Sequence, residues 1–178
     1  IKAKNTSDDI INTNITLSEN NNDVKIVGDY TISESNFDLD VDINKIQMKT
    51  LQGFSMNAIL DTEGYLSGHL KVKGTPENPN ILGKIKMNDV GLEIAKVGSD
   101  FRKINDEIDF TNRGIEFNHF KIHDKDGNTL AVNGEILTQT YRDFAFNLSV
   151  SAKDFKIINS EKSSDAIVYG ILSIDALL

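Results

Sequence analysis

Gly64-Tyr-Leu-Ser-Gly-His-Leu-Lys-Val-Lys-Gly-Thr-Pro-Glu-Asn-Pro-Asn-Ile-Leu-Gly83 decides the fold. Leu66, Gly68, Leu70, Val72 and Gly74 fall on one parity, and Tyr65, Ser67, His69, Lys71 and Lys73 on the other. Strand side chains alternate sides at every residue, so the stretch predicts a strand with one dry and one wet face. Thr75-Pro-Glu-Asn-Pro-Asn80 ends the ladder, because two prolines remove two backbone donors and fix φ. Ile81, Gly83, Ile85 and Met87 restart the alternation. Glycines on the apolar parity leave gaps there and admit a close backbone approach.

The same alternation spreads outward in both directions. Upstream it predicts strands over Ile10–Leu17, over Val24, Ile26, Gly28, Tyr30 and Ile32, and over Phe37, Leu39, Val41 and Ile43, with Phe54, Met56 and Ala58 leading into the quoted stretch. The Asn-rich segment 18–23 separates the first two, and residues 1–9 read as a partial first strand. Downstream, Leu92, Ile94 and Val97 predict a short strand, while Phe101, Ile104 and Ile108 have helix-like spacing over too short a run for a helix. Ile108 with Phe110, Ile115 with Phe117, and Phe120 with Ile122 read as separate strands. Asp124-Lys-Asp-Gly-Asn128 is a hairpin turn. Strands follow through Leu130, Val132, Gly134 and Ile136, then Phe144, Phe146, Leu148 and Val150, then Val168, Gly170, Leu172, Ile174 and Ala176. The fold class is all-β, with about a dozen short strands and turn residues every 8 to 12 positions.

Composition bounds the function. The 178 residues suit one β-rich unit; Leu178 lies inside an apolar alternation, so the chain is expected to be a piece of a longer protein. No apolar run reaches membrane-spanning length, and Ile1 opens no signal peptide. The net charge of -8 divides evenly, with 9 basic against 13 acidic residues in 1–89 and 10 against 14 in 90–178. Such a chain carries no electrostatic footprint for nucleic acid and no basic cluster for an anionic leaflet. Without cysteine, thiol catalysis and thiolate metal sites are excluded.

The polar residues give few chemical leads. His119 and His123 would share a helix face, but they lie on a predicted strand and read as solvent-facing, as does His69. Asp124-x-Asp126-Gly127 has its glycine at the fourth position where a calcium loop has it at the sixth, so it reads as a turn. Asp38, Asp40 and Asp42 form a carboxylate ladder, read as a solvated face guarding against edge pairing. No phosphate loop, nucleophile elbow or paired base is found, and no cofactor is expected; the chain reads as a non-enzyme. The apolar parity fits either a closed two-sheet sandwich or a curved sheet with an open groove.

The spacing of residues 64–83 resembles the C-terminal region of the TamB family, the translocation and assembly module proteins related to the AsmA-like group. That family's pattern is met here by Gly64, Leu66, Gly68, Leu70, Val72, Gly74, Thr75, Pro76, Pro79, Ile81 or Leu82, and Gly83. The segments Ile122–Ile136, Phe144–Val150 and Val168-Tyr-Gly170 are also similar, the last most like versions from the Bacteroidetes. The resemblance spans residues 37–178, and residues 1–36 share only the general strand pattern.

The resemblance implies an inner-membrane-anchored, periplasm-spanning parent whose C-terminal part folds as a taco-shaped trough with an apolar lining. It also implies phospholipid acyl chains as cargo, a role in outer-membrane biogenesis, and an Omp85-type barrel partner of the TamA/BamA kind. Physics is compatible: at about 0.8 kcal/mol per methylene, two acyl chains gain roughly twenty kcal/mol in a dry groove, similar to what a bilayer offers. The expected lining is Phe37, Leu39, Val41, Leu66, Leu70, Val72, Ile85, Met87, Phe117, Leu130, Val132, Phe146 and Leu148. Aspartate at Leu70 or Val132 is expected to block passage with the fold largely intact. Alternative readings are a chaperone pairing strands with nascent barrels and a closed structural sandwich.

Overall fold

The computed structural model describes residues 2–5, 8–96, 98–159 and 169–177. The expectations for Val97 and Val168 lie outside the described residues. The strands are β1 (Lys2–Asn5), β2 (Ile10–Leu17), β3 (Asp23–Thr31), β4 (Asn36–Gln47), β5 (Ile59–Gly74), β6 (Pro79–Ile94), β7 (Ser99–Ile104), β8 (Glu107–Thr111), β9 (Gly114–Asp124), β10 (Thr129–Leu137), β11 (Ala145–Asn159) and β12 (Tyr169–Leu177). All belong to one antiparallel sheet in the order β1-β2-β3-β4-β5-β6-β7-β9-β10-β11-β12. β8 shares the space between β6 and β9 with β7: β6 pairs its Gly83–Lys86 half with β8 and its Val90–Ile94 half with β7. Among the described residues no second sheet covers the first, so the sandwich alternative is not the architecture.

The strands are longer than expected. The quoted hairpin comprises two 16-residue strands, with Leu92 and Ile94 continuing β6. Ile115, Phe117, Phe120 and Ile122 lie on a single strand, β9. Two glycines show why the signature is spaced as it is. A Cβ on Gly68 (φ +156) would meet the Lys84 carbonyl oxygen at 2.1 Å, and one on Gly83 (φ +131) would meet that of His69 at 2.1 Å. Only a residue without a side chain tolerates both that φ and that approach.

A second device bends the other half of the sheet. Asp89, Lys103, His119 and Asp154 all have left-handed φ, between 48° and 55°. Each precedes a buried apolar residue: Val90, Ile104, Phe120 and Phe155 are four of the six buried hydrophobics among the described residues. An extra residue inserted in a strand turns the next side chain back to the same face, which is how a β-bulge works. Inward residues therefore come three apart at Met87/Val90, Phe101/Ile104 and Phe117/Phe120. The helix-like spacing in 101–108 is this effect; the segment is β7 and β8. The bulges are tied by side chains: Asn105 Oδ1 accepts from Asp89 N at 2.9 Å, and Asn133 Oδ1 accepts from His119 N at 2.7 Å.

The bulged half curls until β11 reaches β7, three places along the order. Phe101 and Phe155 stack with centroids 5.9 Å apart, and Ser99 Oγ donates to the Ile157 carbonyl. Between β4 and β5, where extended chain is expected at Phe54 and Met56, the chain instead forms α1 (Met48–Phe54) and a turn. Met48 and Leu51, one helical turn apart, join the core of Val90, Ile104 and Phe120. Phe54 and Met56 consequently point to solvent, 81% and 95% exposed.

Candidate functional site

The cross-strand register converts the alternation into apolar lanes running across the strands. One lane passes Ile26, Val41, Leu70, Gly83, Phe110, Ile115, Ile136 and Phe146. Its neighbour passes Val24, Ile43, Gly68, Ile85, Ile108, Phe117, Gly134 and Leu148. A third begins Gly28, Leu39, Val72 and Ile81, with Phe37 opposite Gly74 beside it. Leu66 pairs with Met87, Val132 with Phe120, and Leu130 with Ile122. Every residue expected to line a groove thus has its place on this one apolar face. Sequence reading missed Ile26, Ile43, Ile81, Ile108, Phe110, Ile115 and Ile136, which the pairing register supplies. The face also extends to Ile15, opposite Ile26, so residues 10–31 contribute to it.

The face is not uniform. Leu66, Met87, Phe117 and Val132 pack against the core that Met48 caps. Aspartate at Val132 would therefore fall on a packed site, whereas Leu70 lies outside that core. Phe37, Leu39, Val41, Leu70 and Val72 are half-buried with no covering element among the described residues, and Phe146 is 59% exposed. This open stretch is the candidate site.

The outer face is charged and cross-strand paired. Asp38, Asp40 and Asp42 stand opposite Lys73, Lys71 and His69. Lys73 reaches Asp38 at 2.8 Å, Lys71 reaches Asp40 at 3.0 Å, and His69 Nδ1 lies 2.7 Å from Asp42. Hydrogen bonds from Lys73 and then Lys71 hold the Asp38 carboxyl below its ordinary range. β4 lies inside the sheet, so this ladder matches opposite charges across strands and does not guard an edge. His119 is exposed at its bulge, and His123 Nδ1 sits 3.0 Å from Thr129 Oγ1.

Asp124 is a buried acid held by several donors. It is 3% exposed, and its carboxylate accepts from Asp126 N (2.9 Å), Asn128 N (2.9 Å), Asn128 Nδ2 (3.0 Å) and Lys156 N (3.0 Å). Burial pushes this carboxyl up, but the hydrogen bonds from Lys156, Asn128 and Asp126 outweigh it and leave it lowered. The segment is a β-turn that pins β11 to the β9–β10 hairpin, as the sequence reading expects for a turn.

A single curled sheet, apolar along one face and charged on the other, defines the chain as a one-sheet β-trough. Residues 118–176 match the family model of the TamB C-terminal domain, which assigns that segment to the TamB family. Comparison with curated proteins and with solved structures yields no match. The 64–83 hairpin lies outside the matched residues, but the sheet joins it to them through β8 and β9. The match supports a TamB-related role in outer-membrane assembly or lipid transport, in a family of non-enzymatic envelope modules that acts with an outer-membrane partner. No helix among the described residues is long and apolar enough to cross a membrane.

Proposed function

We propose that the open lanes are a track along which phospholipid acyl chains pass between the inner and outer membranes. The observation that carries this reading is continuity: two parallel lanes hold apolar or glycine positions across eight neighbouring strands, from Val24 and Ile26 to Phe146 and Leu148. At ~4.8 Å between strands, that run is about 34 Å long. A bilayer's hydrocarbon core is about 30 Å thick and holds two chains end to end, so one acyl chain covers roughly half the run. Leucine, isoleucine and phenylalanine contacts give a non-directional attraction proportional to buried area, which lets a chain slide without meeting a specific stop. The lipid head group stays in water at the open side. In this reading the parent protein is anchored in the inner membrane and hands lipid to an Omp85-type partner.

Native mass spectrometry of the purified chain, with extraction of bound lipid, tests the track. Phospholipid is expected on the wild type and absent from Leu70→Asp, whose substitution falls in mid-lane away from the capped core. A wild type that carries no lipid after exposure to phospholipid vesicles overturns the reading.

A second reading has one supporting observation: β12 pairs only with β11 among the described residues, leaving one ladder edge open. Such an edge accepts a strand from a barrel protein by β-augmentation. Crosslinks from β12 to barrel strands, with a lipid-free trough, would support it.

A further inference from the structure

We infer that the outer face of the trough carries a phosphate-binding site between β7 and β9. A cavity of about 610 Å³ opens there, lined among others by Arg102, Lys103, Lys121, His123 and Lys125. That volume lies within the range of small-ligand sites, about 300–1,000 Å³. Arg102, Lys121 and His123 lie on the parity opposite Phe101, Phe120 and Ile122, and Lys103, at its bulge before the buried Ile104, is exposed, so the cavity faces away from the apolar lanes. The site is therefore independent of the proposed lipid track.

Charge makes the cavity unusual for this molecule. The chain is acidic throughout, net -8, yet four of its 19 Lys and Arg residues gather here. Four cations against the two acids, Asp106 and Asp124, leave the lining two positive charges in excess. Asp124 is filled by its four N–H donors, and Asp106 accepts the Lys121 backbone N–H at 2.6 Å. Arg102 is committed to Asp100, Glu63 and Asp61. Lys103, Lys121 and Lys125 have no carboxylate partner among the described residues.

The arrangement selects among anions. A planar carboxylate is best met by a guanidinium fork, and the one fork here is occupied. Three hinged ammonium groups around one cavity suit a tetrahedral anion with several charged oxygens. The ligand is thus a phosphate, either free or as a phosphoester on a lipid head group.

Titration of the 178-residue chain with inorganic phosphate, followed by amide NMR against chloride at equal ionic strength, reads the site. Saturable shifts are expected at Lys103, Lys121, His123 and Lys125. Lys121→Gln and Lys125→Gln should each weaken binding about fivefold, the effect of one screened ion contact. Lys25→Gln, exposed on β3, should change nothing. Non-saturating shifts, or binding unchanged in both cavity variants, overturn the proposal. Cosedimentation with phosphatidylglycerol vesicles separates the sources. Sedimentation lost in the Lys121→Gln/Lys125→Gln double variant puts the phosphate on a head group; saturable phosphate binding without sedimentation makes the ligand soluble. Sedimentation that persists in the double variant counts against the site.

Discussion

Over Val24–Ile43, Leu66–Val72 and Ile81–Met87, inward residues come every second position; from the second half of β6 through β7, β9 and β11, they come three apart at each left-handed residue. The first region stays open, with Leu39, Val41, Leu70 and Val72 half-buried. The second closes, with Val90, Ile104, Phe120 and Phe155 all at 4% exposure or less. Both are built from the same residue types, Leu, Ile, Val and Phe. What differs is the backbone: a regular ladder leaves a face, and an aligned set of bulges folds that face onto itself and onto α1. One part of the sheet thus holds four of the six buried hydrophobics among the described residues, and the other keeps its apolar face open.

Alanine substitution in each region gives the widest separation. Phe120 is 4% exposed and sits edge-on to Phe117, with centroids 5.5 Å apart. Phe120→Ala should cost about 3–5 kcal/mol, because a cavity is left that the capped core cannot close. Leu70→Ala should cost about 1 kcal/mol, since half-exposed methyl groups lose little on removal. Urea denaturation of both variants checks the difference. Equal losses would mean that the open lane is covered in solution.

The hairpin turn that pins β11 gives the next effect. Replacing Asp124 by Asn keeps the shape but removes the charge from four N–H donors, at a cost of about 1–3 kcal/mol. The sign with pH follows from its lowered carboxyl. The group is ionised when folded at a pH where the unfolded chain, with an ordinary value near ~3.9, already takes up a proton. Its contribution is full above the unfolded value and disappears as pH falls through the folded one. Wild type and Asp124→Asn should therefore differ most at neutral pH and converge in acid, measured by thermal unfolding between neutral pH and pH ~3. A constant difference across that range would assign the effect to packing.

The open region was legible from sequence because its rule is local. Gly-x-Leu-x-Gly-x-Leu-x-Val spells a two-residue period, and pairing such strands in register yields lanes. The closed region was not legible because its rule is a sign of φ. Asp89, His119 and Asp154 belong to the residue types that tolerate left-handed backbone, so Asp or His directly before an apolar residue was a usable hint. Lys103 gives no such hint, and without it Phe101 and Ile104 read as one side of a helix. α1 was missed for a related reason: Phe54 and Met56 look like strand residues but end the helix and lie in the turn after it, while Met48 and Leu51 carry the burial. The trough's extension to β2 and β3 depended on partners far along the chain.

The smallest effect tests the bulges directly. His119 is exposed, has φ +55, and owes its place in β9 to a backbone N–H held by Asn133. Glycine adopts that conformation without the Cβ clash of roughly 1–2 kcal/mol, but it also loosens the unfolded chain, which offsets part of the gain. His119→Gly should consequently be neutral or stabilising by up to ~1 kcal/mol, and His119→Val, β-branched and intolerant of positive φ, destabilising by more than that. In the open region the order reverses: Val41→Gly, on a regular ladder, loses both packing and backbone restriction. Opposite signs for glycine at 119 and 41 in equilibrium unfolding would tie closure to the bulge geometry. If glycine destabilised both sites alike, His119 would be ordinary strand, and the turn of Phe120 into the core would need another cause.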